Sequence, residues 1–191
     1  VGLIIISSFD AVTESQVDEA IAVLHERGAE ALIFDLRGNL GGALTSIVPI
    51  LDKLLPEGPI LHVVPKEGDT ETISSDAEEL DMPMAVVVNG NTASAAELFT
   101  SALMDYDKAV IVGTQTYGKG CMQTITQRPD GSAIRVTTAY YDPPYSENYD
   151  GVGITPDITV EPDEVTASTN RYKIADRDDN QLTAAYNALI G

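Results

Sequence analysis

Hydrophobic and polar positions divide this chain into regular segments. Val1 to Ser7, Ala31 to Phe34, Ile60 to Val64, Met84 to Val88 and Ala109 to Val112 are short apolar runs between polar or glycine-rich stretches. That is the pattern of buried strands. Helical stripes lie between them. Val17, Ala20, Ile21 and Leu24 recur at i, i+3, i+4 and i+7, and Ile47, Ile50, Leu51, Leu54 and Leu55 line one side of a second helix. Leu98 to Met104 continue a third. Thr13-Glu14-Ser15-Gln16 has the spacing of a capping box for the first helix, and Gly28 ends it. This alternation through Val112 predicts an α/β layered domain. Beyond it, Cys121 to Gln127 and Ala133 to Tyr140 read as two strands joined by Pro129-Asp130-Gly131, and Ile158 to Val160 as a last short strand. Leu182, Ala185, Tyr186 and Leu189 make a terminal amphipathic helix. Lys66 to Met82 reads as a surface excursion with a short strand at Glu71 to Ser74, and Glu161 to Asp179 as irregular chain.

Composition narrows the picture. The chain has 191 residues, 43% of them hydrophobic, which suits one domain with a real core. Its net charge of −19 argues against nucleic acid and anionic membrane as partners. No apolar run approaches the roughly 20 residues that span a bilayer. Val1 to Ile6 lacks the basic flank and cleavage site of a signal peptide and reads as a first strand of something longer. One cysteine, Cys121, leaves no internal disulfide framework.

Candidate chemistry centres on Ser94. Asn89-Gly90-Asn91-Thr92-Ala93-Ser94 follows a buried strand and precedes a helix, so Ser94 stands at a strand-to-helix turn, beside free backbone N–H groups and the positive end of the helix dipole. Asn-Gly-Asn tolerates φ > 0 and would make the turn sharp. Such a place suits a nucleophile and its oxyanion. It equally suits a plain N-cap, with Glu97 closing a capping box three residues on. A second turn, Asp35-Leu36-Arg37-Gly38-Asn39-Leu40-Gly41-Gly42, joins strand to helix and presents bare backbone N–H groups, without the dinucleotide fingerprint. Gly113 to Gly120 nearly spells a P-loop, but Gly120 offers no hydroxyl and no helix follows.

A nucleophile needs a base. His25 sits in a helix's last turn, and His62 lies mid-strand in an apolar run, so a histidine triad is poorly supported. Lys119 stands between glycines just after a buried strand, in a stretch with no other charge from Val110 to Gln127. A lysine acts as base only when neutral, and burial favours that form. Gln123, four residues on, could hold the amine, given a turn or bulge near Gly120.

Thr92 to Glu97, then Thr116-Tyr117-Gly118-Lys119-Gly120 with Gln123, then Gly151-Val152-Gly153-Ile154-Thr155-Pro156-Asp157, resemble the carboxyl-terminal processing peptidases, or tail-specific proteases. Asp35-Leu36-Arg37 and Gly41-Gly42 are similar to that family's glycine turn, with Gly38 and Leu40 replacing the commoner Asn and Pro. The resemblance implies a single catalytic domain over 1–160, on an α/β fold like the ClpP/crotonase superhelix of β-β-α turns, with 161–191 as a polar connection and a helix packing on it. It implies a serine endopeptidase acting near the tails of protein or peptide substrates. Ser94 is then nucleophile, Lys119 general base, Gln123 the residue that orients the lysine, and the N–H groups of Gly41 and Ala95 the oxyanion hole. It implies no metal and no cofactor, a bacterial extracytoplasmic setting, an upstream PDZ domain missing here, and leaves a homo-oligomer open. The alternative is a non-catalytic relative that binds peptide in the same cleft. An esterase or lactamase with Ser-x-x-Lys on one helix does not fit the separation of Ser94 from Lys119.

Overall fold

The computed structural model describes residues 1–191. In chain order its elements are β1 (Gly2–Ile5), α1 (Thr13–Glu26), β2 (Leu32–Asp35), α2 (Leu44–Leu54), β3 (Gly58–Pro65), β4 (Glu71–Ser75), β5 (Met84–Val88), α3 (Ala95–Asp105), β6 (Ala109–Gly113), β7 (Cys121–Gln127), β8 (Ala133–Asp142), β9 (Ile158–Thr159), α4 (Glu164–Ser168) and α5 (Asn180–Ile190). The apolar runs of the sequence become a parallel sheet in the order β1-β2-β5-β6-β9. A second, antiparallel sheet has the order β4-β3-β8-β7 and leaves β7 as an edge.

Both faces of the parallel sheet are covered, so its central strands are continuous apolar runs rather than alternating ones. Phe34, Val86, Val88 and Ile111 pack with Leu51, Leu98 and Phe99 of α2 and α3 on one face. Ile33, Ala85, Val87 and Val112 meet Leu182 and Ala185 of α5 on the other. Parallel strands carry their connecting turns to one end, where β2, β5 and β6 run out side by side, and such an end is where α/β sheets place their sites.

Two local expectations fail for physical reasons. The capping box at Thr13 does not form: Val12, in a helical conformation, precedes the helix without a side-chain cap. Asp10 organises the entry instead, its carboxylate accepting from Val12 N at 3.0 Å while its own N–H donates to Thr13 Oγ1 at 2.9 Å. The stretch from Glu161 to Asp179 is also more regular than its polarity suggests. Asp163 caps α4 by accepting from Thr166 N at 2.8 Å, and a 3₁₀ turn spans Asp176–Asp178.

The last residue of β2 starts a buried ionic cluster. Arg37 lies between Asp35 (2.8 Å) and Asp179 (2.8 Å), and its Nη1 also donates to Gln181 Oε1 at 3.0 Å. Burial disfavours the guanidinium charge, but the hydrogen bonds and charges of both carboxylates outweigh it and hold its pKa above the usual arginine range. Asp179 is also the N-cap of α5, accepting from Gln181 N and Leu182 N. The turn after β2 and the terminal helix are therefore fastened at one point. Arg37→Ala should destabilise the domain by roughly 3–5 kcal/mol, because it leaves the buried Asp179 without a cation and Asp35 with only Arg171, 3.6 Å away; urea unfolding followed by circular dichroism measures it.

Candidate active site

Four segments meet at the carboxyl end of the parallel sheet. They are the turn after β2, the turn after β5, the loop after β6 and the start of β7. Ser94 stands on the second, with φ 58° and ψ −121°. These angles match the first central position of a type II′ turn, a place suited to glycine. Ala96 N donates to Ala93 O at 3.2 Å across the turn. For a serine this conformation costs about 1–3 kcal/mol and persists only where its surroundings fix it. The sequence suggested Asn89-Gly90-Asn91 as the site of positive φ, but none of these three adopts it. Their task is different. The Asn89 side chain accepts from Gly38 N and Asn91 N, both at 3.0 Å, and so joins the turns after β2 and β5.

The turn after β2 supports Ser94 from behind. A Cβ on Gly41 would stand 2.7 Å from the Ala93 carbonyl and 2.8 Å from Ala95 N, so no other residue fits there without displacing the serine's turn. Ala93 N donates to Asn39 O at 2.9 Å, and Thr92 Oγ1 donates to Leu36 O at 2.9 Å.

Glu97 ties this turn to the loop carrying the lysine. It is fully buried. Its Oε2 accepts from Ser94 N at 2.9 Å and Lys119 N at 2.8 Å; its Oε1 accepts from Thr116 Oγ1 and Gly118 N, both at 2.6 Å. Four donors fill the acceptor sites of one carboxyl group, and none is a cation. Thr116 Oγ1 accepts in turn from Ile154 N at 2.7 Å, extending the chain of bonds to the Gly151–Asp157 segment. Gly118 has φ 86° and lies so near Gly153 N that a Cβ would stand 2.8 Å away. Sequence reasoning saw Glu97 only as half of a capping box. The reach from helix to loop, 21 residues to Gly118, left no local signal.

Ser94, Ala95, Lys119 and Gln123 line one cleft of about 510 Å³. Lys119 is half-buried there and its ammonium enters no ion pair. The irregularity that Gln123 needed lies between Met122 and Gln123, where the β7–β8 register shifts. Neither Gln123 nor the Ser94 hydroxyl is hydrogen-bonded to Lys119 Nζ; the three share the cleft without being locked together. Catalytic hydrogen bonds often tighten only when substrate is bound. Ala95 N–H, the first of α3, has no partner. The Gly41 N–H donates to Asn39 Oδ1 at 2.8 Å, in a side-chain turn the sequence did not reveal. Gly42, the next residue, lines the cleft and its N–H has no partner. His62 is elsewhere, in β3, with its ring nitrogens 2.8 Å from Thr72 Oγ1 and 3.2 Å from Pro144 O.

Cys121 also lines the cleft. Burial raises its thiol pKa, and a hydrogen bond to Asp150 and that carboxylate's charge add to the rise, against smaller opposing effects of a hydrogen bond to Thr137 and of the Lys119 charge.

A strained serine, a lysine amine in no ion pair and two backbone N–H groups without partners thus meet at one end of the α/β sheet. The chain belongs to peptidase family S41, whose model matches residues 1–160. It is 37% identical over 192 aligned residues to the carboxyl-terminal-processing protease of Synechocystis sp., covering 100% of this chain and 44% of that one. It is 35% identical to a probable CtpA-like serine protease of Staphylococcus aureus, covering 96% and 39%. Among solved structures it resembles a photosystem II D1 C-terminal processing protease, at 30% identity and a TM-score of 0.76, over 83% of this chain and 42% of that one. The chain thus spans less than half the length of these relatives. The tricorn protease, at 19% identity and a TM-score of 0.51, shares the fold over 84% of this chain.

Two outcomes test the site's construction. Glu97→Gln turns two acceptors into one acceptor and a donor aimed at N–H groups; it should lower the unfolding free energy by at least about 2 kcal/mol and cut labelling of Ser94 by an active-site reagent more than tenfold. Cys121, its thiol pKa raised, should react with iodoacetamide more slowly at pH 7.5 than a free cysteine peptide does, and its rate should go on rising with pH beyond the point where the peptide's levels off.

Proposed function

We propose that this chain is the catalytic domain of a serine endopeptidase that cleaves protein or peptide substrates near their carboxyl-terminal tails. The observation that carries the reading is the Glu97 carboxyl group, bonded at once to the backbone of Ser94 and of Lys119. It holds a strained serine and a free amine at the same cleft.

The chemistry follows from the groups present. Ser94 Oγ attacks the scissile carbonyl carbon while Lys119 Nζ takes the hydroxyl proton. A C–O bond forms, and negative charge moves to the carbonyl oxygen. Ala95 N–H is one donor for it; the unpartnered Gly42 N–H takes the place first assigned to Gly41. Collapse breaks the C–N bond, and the proton on Lys119 passes to the leaving amine. Water then attacks the acyl ester, gives its proton to Lys119, and Ser94 recovers it as the ester breaks. Gln123 carries an amide, which can orient the amine without adding a charge. Similarity to carboxyl-terminal processing proteases supports the tail preference. The same reading puts a substrate-capturing PDZ domain upstream and the protein outside the cytoplasm. No helix of the chain is long and apolar enough to cross a membrane.

Peptide cleavage by purified variants tests the reading. Ser94→Ala and Lys119→Met should each lower kcat by at least about a thousandfold, since a nucleophile and its base act as one unit. Lys119→Met removes an amine that makes no ion pair, so its thermal midpoint should match wild type within about 3 °C. Wild-type rates in Lys119→Met would overturn the dyad; peptide binding without turnover by the wild type would favour the non-catalytic relative.

A further inference from the structure

The β7–β8 ribbon brings a second cationic side chain to the Ser94 cleft. Gln123 pairs with Thr137, and Ile125 with Arg135, so these four side chains share one face of the ribbon. Gln123, Ile125 and Arg135 all line the cleft with Ser94. Arg135 is diagonal to Gln123, about 7–8 Å away, and is exposed, with no ion pair or hydrogen bond on its guanidinium. Lys119 and Arg135 are the charged residues of the cleft wall; no Asp or Glu lines it. This is notable in a chain with 30 acidic and 11 basic residues. On so acidic a protein an anionic group on a substrate is repelled nearly everywhere, and the cleft is a local exception.

We infer that Arg135 is a specificity-determining residue, which binds a carboxylate on the substrate a few residues from the scissile bond. The inference rests on the proteolytic reading above. At about 3.3 Å per extended residue, the offset from Gln123 corresponds to about two or three substrate positions. Guanidinium is suited to the task because its planar fork meets a carboxylate through two parallel hydrogen bonds. The carboxylate has two sources, an Asp or Glu side chain or the free α-carboxylate of a short tail. An arginine that lacks an internal partner pays no internal bond to accept either. Lys119 is reserved for proton transfer and has to lose its charge to work, so Arg135 is the cleft's permanent cation.

Quenched ten-residue peptides randomised with uncharged residues provide the test. One set carries a single Asp or Asn at each position along the peptide. A second set ends in a free carboxylate or an amide at each distance from the scissile bond. Wild type should prefer the carboxylate at one position, or at one distance, by about threefold to tenfold in kcat/KM. The preference should lie mainly in KM and shrink in high salt. Arg135→Gln should abolish it while keeping rates on uncharged peptides within about twofold. Arg135→Lys should restore part of it, and Arg135→Glu should invert it toward Lys-bearing peptides. A preference in the Asp/Asn set identifies a side chain as the ligand; one confined to the acid/amide set identifies the tail. An absent preference in wild type, or one unchanged in Arg135→Gln, overturns the inference while leaving the peptidase intact. A wild type that cleaves none of the peptides overturns the proteolytic reading and this inference with it.

Discussion

One buried carboxyl group holds the site together. Glu97 stands in the first turn of α3, where the helix dipole favours an acid, yet its partners come from two different segments. Its four donors are the amides of Ser94, Gly118 and Lys119 and the hydroxyl of Thr116. Three of these bonds fix backbone directly, and the Thr116 hydroxyl is itself tied to the backbone of Ile154. The unfavourable dihedrals of Ser94 are therefore maintained, and the loop after β6 cannot move without unpairing a buried group. Removing such a partner costs more than the bond itself contributes, because stranded polar groups stay desolvated. That asymmetry makes the arrangement rigid.

The rest of the fold delivers segments to this bond. The parallel sheet brings the turns after β2, β5 and β6 to one end. Gly41 and Gly118 let backbone approach backbone at distances a Cβ would prevent. The Arg37 cluster fixes the turn after β2 to the cap of α5. The second sheet supplies the far wall, and Gln123, where the β7–β8 register skips Thr138, lines the cleft with Lys119.

Much of this was legible in the sequence, and the division has a physical basis. Core strands and helices were read well because a period of 2 or 3.6, or an unbroken apolar run, is a local consequence of burial. Ser94 and Lys119 were read from their settings, a strand-to-helix turn and a charge isolated among glycines. What escaped was long-range pairing of polar atoms. Glu97 looked like an ordinary capping residue because three residues on from a serine is where one belongs. Asp179 meets Arg37 across 142 positions, which no window detects. The hydrogen bond that Asn39 makes by folding its side chain back onto Gly41 N–H was equally invisible. At Thr13 a satisfactory box was outcompeted by Asp10, two residues before the Val12 amide it caps.

Activation of Ser94 by Lys119 within a single cleft is the central proposal. Intact-mass analysis of the protein after exposure to a fluorophosphonate tests it most directly, with peptide mapping of any adduct. The prediction is one adduct per chain, located on Ser94, absent in Ser94→Ala and slowed at least a hundredfold in Lys119→Met. An adduct elsewhere, or wild-type labelling of Ser94 in the absence of the lysine amine, would contradict it.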